Sequence, residues 1–270
     1  MRRKVSFTVA RPAPKAKNAS AAVPSAKNIV SERGPVIQTG GSSSSAIQPG
    51  RCKVQTAVLQ AQLPRIGDPA PDFEADTTRG KIRLQDYRGS WLVLFSHPAD
   101  FTPVCTTEFI AFAEIHEELR SRGVELLGLS IDSTSSHIAW VRNIEEKMGV
   151  KIPFPVIADS TREIATRYGM IHPGQSKTVT VRCLFVIDLN QVIRAMIYYP
   201  LSTGRNVHEV TRLVDALQAT DYHGVSTPAN WKPGDKVVVP APSTQDMADR
   251  RLEEGFECKD WYLCLKSVSS

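Results

Sequence analysis

Trp91-Leu-Val-Leu-Phe-Ser96, running into His97-Pro-Ala-Asp-Phe-Thr-Pro-Val-Cys-Thr-Thr-Glu108, is the stretch on which the reading of this chain turns. The first six residues form a continuous apolar run, the pattern of a strand buried on both faces. From Cys105 to Arg122 the apolar residues Phe109, Phe112, Ile115 and Leu119 recur at helical spacing, so an amphipathic helix follows the strand. Beyond it the pattern repeats with a strand at Val124–Ile131, a helix at Ser135–Met148, a short strand at Phe154–Ala158 and a helix at Arg162–Tyr168. Two β-branched runs, Thr178–Ile187 and Val192–Tyr199, flank the turn Asp188-Leu-Asn-Gln191 and predict a hairpin, and a helix is expected over Val207–Gln218.

Parallel β-α units closed by an antiparallel hairpin and a terminal helix predict an α/β fold, a thioredoxin-like three-layer α/β/α sandwich spanning residues 63–222. Residues 223–270 read as a C-terminal extension arm. Pro228, Pro233, Pro240 and Pro242 keep Thr227–Pro242 extended, and Ser243 with Asp246 predicts the N-cap of a helix through Glu254. Gly255 stops that helix, and Cys258-Lys-Asp-Trp-Tyr-Leu-Cys264 follows. An arm of this length cannot build its own core, so it is expected to pack on the body or on a neighbouring subunit.

A hydrophobic share of 41% with 23% charged residues is that of a globular protein and excludes a collagenous, fully disordered or disulfide-scaffold chain. No stretch approaches the roughly 20 consecutive apolar residues that cross a bilayer. Five cysteines, an odd number, have to be read one by one and suit a reducing compartment. The net charge of +5 is unevenly spread: residues 1–64 hold ten Lys or Arg and one acid, Glu32, while the rest holds 23 basic and 27 acidic side chains. With its Ala, Ser and Pro and the run Gly40–Ser45, the segment 1–62 reads as a disordered basic extension. Its Met1-Arg-Arg-Lys start, without an apolar core, predicts an organellar transit segment to the mitochondrion or plastid, with an unprocessed cytoplasmic extension as the alternative. It lacks interleaved aromatic residues, so nucleic acid is not expected as a partner. Cys52 lies within it.

A cysteine in the first turn of a helix receives unpaired backbone N–H groups, which favour thiolate over thiol, and Cys105 is so placed. Thr102 puts a hydroxyl within reach, and Pro98 and Pro103 stiffen the loop and shield the sulfur. Arg182, on the strand Thr178–Ile187, is the candidate for a permanent positive charge beside it. Spacing alone leaves open a packed, unreactive cysteine. Cys183, next to Arg182, points to the opposite strand face and is expected to be buried and inert. His116, His137, His172, His208 and His223 form no cluster and read as surface or satisfied residues.

The run Pro98-x-x-x-Thr102-x-x-Cys105 resembles the peroxiredoxin active-site motif, and Ser96 through Glu108 resembles the one-cysteine, peroxiredoxin-6 branch. Gly67-Asp-Pro-Ala-Pro-Asp-Phe73, Val181-Arg-Cys-Leu-Phe-Val-Ile-Asp188 and Tyr199-Pro-Leu-Ser-Thr-Gly-Arg-Asn206 agree with it, so the likeness covers about residues 63–264. It implies a thiol peroxidase that reduces hydrogen peroxide and organic hydroperoxides, with Cys105 as the peroxidatic cysteine passing through a sulfenic acid. It implies further that Thr102 and Arg182 hold the peroxide, that Pro98 shapes the pocket, that His97 hydrogen-bonds near the sulfur and that Glu108 orients the arginine. Cys258-x5-Cys264 resembles the arm of archaeal-type members of the branch, in which the distal cysteine reaches the neighbouring subunit's site. By that likeness Cys264 resolves the sulfenic acid and Cys258 passes the oxidation to a thioredoxin-like or other thiol reductant, in a homodimer or ring of dimers. No cofactor is expected, and no metal, since Cys258 and Cys264 lack two further ligands nearby.

Some relatives carry a lipase site, but Gln85 stands where its histidine would fall and no second glycine follows Ser90, so neither that activity nor a membrane partner is expected. The Gly-Gly-Leu-Gly loop and terminal Tyr-Phe of easily overoxidised members are also missing. Two other classes compete. A disulfide reductase wants Cys-x-x-Cys, yet Thr106, Thr107 and Glu108 follow Cys105. A non-catalytic holdase would not need Cys105.

Overall fold

The structure, a computed structural model, describes residues 63–268, and the expected basic extension with Cys52 lies outside the described residues. The hairpin β1 (Glu74–Thr77) and β2 (Gly80–Arg83) leads through a 3-10 turn, Leu84–Tyr87, to β3 (Trp91–Ser96). Then come α1 (Pro103–Glu114), α2 (His116–Arg120), β4 (Val124–Ser130), α3 (Thr134–Met148), β5 (Val156–Ala158) and α4 (Glu163–Arg167). The hairpin β6 (Arg182–Ile187) and β7 (Ile193–Tyr199) and the helix α5 (Val207–His223) complete the body. The arm holds β8 (Val237–Val238), α6 (Gln245–Arg251), β9 (Glu257–Asp260) and β10 (Leu263–Lys266).

The main sheet runs β2-β1-β5-β4-β3-β6-β7, with β3, β4 and β5 parallel and β6 and β7 antiparallel. Strand alternation sorts the continuous apolar run of β3 into two cores. Val93 and Phe95 join Leu126, Leu184 and Val186 under α1, α3 and α5, which contribute Phe109, Phe112, Trp140, Ile144, Val210 and Val214. Leu92 and Leu94 join Leu127, Leu129, Phe185 and Ile187 on the other face, covered by Ile164, Ala165, Tyr168 and Leu84. This is the three-layer α/β/α arrangement, with one thick and one thin outer layer. Local chemistry sets the helix ends. The Ser133 hydroxyl accepts from Ser136 N–H at the start of α3, the Asn206 side chain accepts from His208 N–H at the start of α5, and Gly149 and Gly224, at φ of 72° and 59°, close both helices in the left-handed conformation.

Several boundaries depart from the pattern in the sequence. The helix expected over Cys105–Arg122 begins earlier and breaks at Ile115, whose ψ of 0° leaves the helical range while its side chain stays buried. The strand expected from Thr178 begins at Arg182, because Val181 N–H goes to the Met170 carbonyl and the Thr180 hydroxyl to His97. Thr244, not Ser243, caps α6 by accepting from Met247 N–H, and the helix ends at Arg251. The hairpin of β1 and β2 lies at the sheet edge and is mostly exposed, so it carries little apolar signal. In the arm, Trp231, Val225 and Val237 pack on Ala216 of α5, so the body completes its small core. Among the described residues no helix is long and apolar enough to cross a membrane.

Phe95 is fully buried and packs against Phe109, Phe112 and Phe154, with ring centroids 5.7, 4.2 and 5.5 Å away. Phe95→Ala is expected to lower the unfolding free energy by about 3–5 kcal/mol, read as a drop in the urea midpoint at unchanged m-value.

Candidate active site

The buried end of β3 delivers a loop, His97–Thr102, whose backbone is shaped by Pro98 and by Phe101 at a φ of 53°. A left-handed phenylalanine is strained, and here it turns the chain into α1. Thr102 occupies the N-cap position with extended backbone, but its hydroxyl donates to the Ala99 carbonyl and does not cap the helix. With Pro103 at the first helical position, the first hydrogen bond of the turn runs from Thr106 N–H to the Thr102 carbonyl. The N–H groups of Val104 and Cys105 therefore lack a side-chain cap and form the positive end of the helix dipole. Cys105 is a fully buried free thiol, and Pro98 is buried beside the loop.

Arg182 opens β6 with its guanidinium almost entirely buried. Nε and Nη2 donate to the Leu201 carbonyl at 3.0 and 2.8 Å, while Nη1 donates to Glu108 Oε2 at 2.8 Å and to Cys105 Sγ at 3.3 Å. Glu108, one turn beyond the cysteine, is thus a buried anion and not a solvated first-turn acid. Its second partner is Arg205, which sequence reasoning assigned no role. Arg205 gives its backbone N–H and Nε to Oε1 and Nη2 to Oε2, all at 2.8 Å, and Nη1 to the Cys183 carbonyl. Its guanidinium also lies over the Phe95 and Phe112 rings at 5.2 and 5.4 Å. Burial alone would raise the Glu108 carboxyl, but the Arg205 charge and donors, with Arg182, outweigh it and hold the carboxyl below its ordinary value. The signal for Arg205 was its place in Tyr199–Asn206, directly before the cap of α5.

Cys183 faces away from the site, as alternation requires. Its thiol lies 3.0 Å from the Ser96 hydroxyl, and burial pushes it up to about 11. His97 does not bond the sulfur: its Nε2 lies 2.9 Å from Asp100, and its ring packs edge-on against Phe109. The expectation that the other histidines form no cluster is wrong for His137. Folding brings it from α3 onto the same Asp100 carboxylate, at 2.8 and 3.0 Å, so a pairing invisible at a sequence separation of 37 becomes a buried contact. The ligand-type atoms of His97, Asp100 and His137 lie within 4.8 Å of one another, and hydrogen bonds among them account for that proximity. In the arm, Cys258 and Cys264 are joined to each other in a disulfide, Cys264 buried and Cys258 half-buried.

Residues 66–196 match the AhpC/TSA family, and residues 216–255 match the C-terminal domain of 1-Cys peroxiredoxin. A peroxiredoxin of Aquifex aeolicus is 60% identical over 217 residues, covering 76% of this chain and 98% of that protein. A peroxiredoxin of Methanosarcina mazei is 52% identical over 214 residues, covering 76% and 98%. Among solved structures, the yeast mitochondrial 1-Cys peroxiredoxin superposes with a TM-score of 0.68 at 44% identity, over 76% of this chain and 100% of the other. Peroxiredoxin 6 of Arenicola marina superposes with 0.69 at 36% identity, over 76% and 99%.

Because the folded carboxyl of Glu108 is lowered, the stability it contributes is present above the unfolded value near about 4.3 and is lost as pH falls through the folded value. Glu108→Gln leaves two buried guanidinium groups without their anion and is expected to cost about 3–5 kcal/mol at neutral pH. Urea titrations from neutral pH downward should show the variant losing less stability than the parent over the acid range.

Proposed function

The chain belongs to the AhpC/TSA family of peroxiredoxins, and from that premise we propose how its residues divide the chemistry of a thiol peroxidase, an oxidoreductase that acts on peroxides at the expense of thiol reductants. Cys105 is the peroxidatic cysteine. Its thiolate attacks one peroxide oxygen, the O–O bond breaks, and the sulfur becomes a sulfenic acid while the other oxygen leaves as water or an alcohol. Arg182 and Thr102 hold the peroxide, and the uncapped N–H groups of α1 with the guanidinium receive the charge that moves onto the leaving oxygen. Glu108 and Arg205 keep Arg182 in place, and Pro98 walls the loop. The 3.3 Å separation of Arg182 Nη1 and Cys105 Sγ at an uncapped helix start carries this assignment.

The arm closes the cycle. Cys264 as thiolate displaces hydroxide from the sulfenic sulfur, giving a Cys105–Cys264 disulfide, the hydroxide leaving as water with the proton that the Cys264 thiol gave up, and Cys258 as thiolate then attacks Cys264 and releases Cys105 as thiolate. The product is the Cys258–Cys264 bond, the pairing in which the arm is found. An external thiol reductant, thioredoxin-like or other, reduces it, and the resolving mechanism of the yeast mitochondrial relative through glutathione and thioredoxin systems supports a donor of that class. In this reading residues 63–222 are the peroxidase domain and residues 223–270 a dimerising arm that reaches the neighbouring subunit of a homodimer or ring. The consecutive exposed side chains Trp261, Tyr262 and Leu263 support an arm that is covered by another copy. The basic start of the chain and the likeness to a mitochondrial relative support import into a mitochondrion or plastid.

The test treats the fully reduced protein anaerobically with one equivalent of hydrogen peroxide and a sulfenic-acid trap, then maps modified and disulfide-linked peptides by mass. Label on Cys105, or a Cys105–Cys264 link between chains, is expected; label confined to other cysteines would sink the assignment. In the same assay Arg182→Ala is expected to slow sulfenic-acid formation by roughly 100-fold or more in a protein that still folds, and a near-normal rate would remove Arg182 from the site.

A further inference from the structure

His137 lies in the first turn of α3, fully buried, and the peroxide chemistry above leaves it without a task. Both of its ring nitrogens have partners. Nε2 is 3.1 Å from the Ile157 carbonyl oxygen, which can only accept, so Nε2 carries a proton. Nδ1 faces the Asp100 carboxylate at 2.8 and 3.0 Å, and the same carboxylate takes the Ser136 hydroxyl at 2.8 Å and His97 Nε2 at 2.9 Å. Burial alone would raise the Asp100 carboxyl, but donation from His137 and His97 overrides it and holds the group well below the usual carboxylate range. An ionised carboxylate accepts from every neighbour, so His137 Nδ1 and His97 Nε2 are protonated as well. Both ring nitrogens of His137 therefore face acceptors, the arrangement that a doubly protonated ring satisfies. His97 is kept neutral by burial, so its Nδ1 is bare, and that atom is buried without a hydrogen-bond partner among the described residues.

We propose that His137 is a positioning residue for the peroxidatic loop: a buried imidazolium that neutralises Asp100 and, through it, fixes His97 in the Nε2–H tautomer with Nδ1 unprotonated. A carboxylate inside a protein needs a compensating charge, and neutral donors alone leave it costly. The loop 97–102 has neither helix nor strand to stiffen it, and Asp100 is its anchor. The Asp100 side chain binds α3 through His137 and Ser136, and its backbone N–H donates to Asp132 Oδ2 at 2.8 Å. His137 in turn ties α3 to β5 through Ile157. The loop ends at Thr102, whose carbonyl takes the first hydrogen bond of the helix that carries Cys105, so a shift of Asp100 would be felt at the sulfur. His97 itself packs against Phe109 and Trp140, with centroids 4.7 and 5.1 Å away.

The proposal rests on Cys105 being the reacting thiol, and its test separates the two. Full-length reduced protein with 15N-labelled histidine, at neutral pH, is examined by long-range proton–nitrogen spectroscopy, with His97→Gln and His137→Gln used to assign the signals. Two protonated nitrogens on His137, and one protonated and one bare nitrogen on His97, are expected. A bare nitrogen on His137 or a protonated Nδ1 on His97 overturns the proposal, and neither reading depends on any variant's activity. His137→Gln keeps one N–H donor but not the charge, and it is expected to slow sulfenic-acid formation at Cys105 by roughly 10- to 100-fold. A folded variant within about twofold of the parent rate removes the positioning role. If His137→Gln does not fold, the parent spectrum still decides. If the parent protein yields neither sulfenic-acid label on Cys105 nor a Cys105–Cys264 link, the catalytic assignment fails, whatever the spectrum shows.

Discussion

The Glu108 carboxylate, held between Arg182 and Arg205 beneath the surface, is the interaction from which the site takes its shape. Three ionised groups are buried together, and each reaches the cluster from a different element: α1, the start of β6, and the chain just before α5. Burying them is tolerable because nearly every polar hydrogen finds an acceptor, in Glu108, Leu201 or Cys183. One anion and two cations leave a single positive charge in excess. The second N–H of Arg182 Nη1 points at Cys105, so the excess charge lies where a sulfur anion or a peroxide oxygen would sit.

The sheet makes this cluster possible. β3 and β6 are neighbours, so the residue that opens β6 lies beside the end of β3, where the loop to α1 begins. The N-terminus of α1 is aimed at the same point and has no side-chain cap, the Thr102 hydroxyl donating to the Ala99 carbonyl and accepting from no N–H of the first turn. A second buried network, centred on Asp100, holds the other side of that loop against α3. Cys105 thus touches one buried ionic cluster through Arg182, while the loop that leads to it is held by another, the Asp100 carboxylate with His97 and His137.

The arm is built apart from the site. It has a small sheet of three strands and a core that borrows Ala216 from α5, so its position depends on the body while its disulfide does not involve Cys105. In a thiol cycle that separation has a use. In the proposed cycle, oxidising equivalents moved to a bond in the arm would leave Cys105 reduced and enclosed, while the half-buried Cys258 would offer a sulfur to an outside reductant.

Much of this was legible in the residues. The apolar run Trp91–Ser96, the helical spacing of Phe109, Phe112 and Leu119, and the turn Asp188–Gln191 specify their elements because burial on one or two faces leaves a period in the sequence. The proline-threonine-cysteine motif placed Cys105 at a helix start, and alternation alone turned Cys183 away from Arg182. Boundaries were less legible, since Thr180 and Val181 spend their polar groups on His97 and Met170, and the mostly exposed hairpin of β1 and β2 offers the core little more than Ala75 and Ile82. Arg205 and the pairing of His97 with His137 were decided by the tertiary structure. A buried charge takes its partner from whatever the fold brings within hydrogen-bonding distance, and for Glu108 and Asp100 those partners lie 97 and 37 residues away.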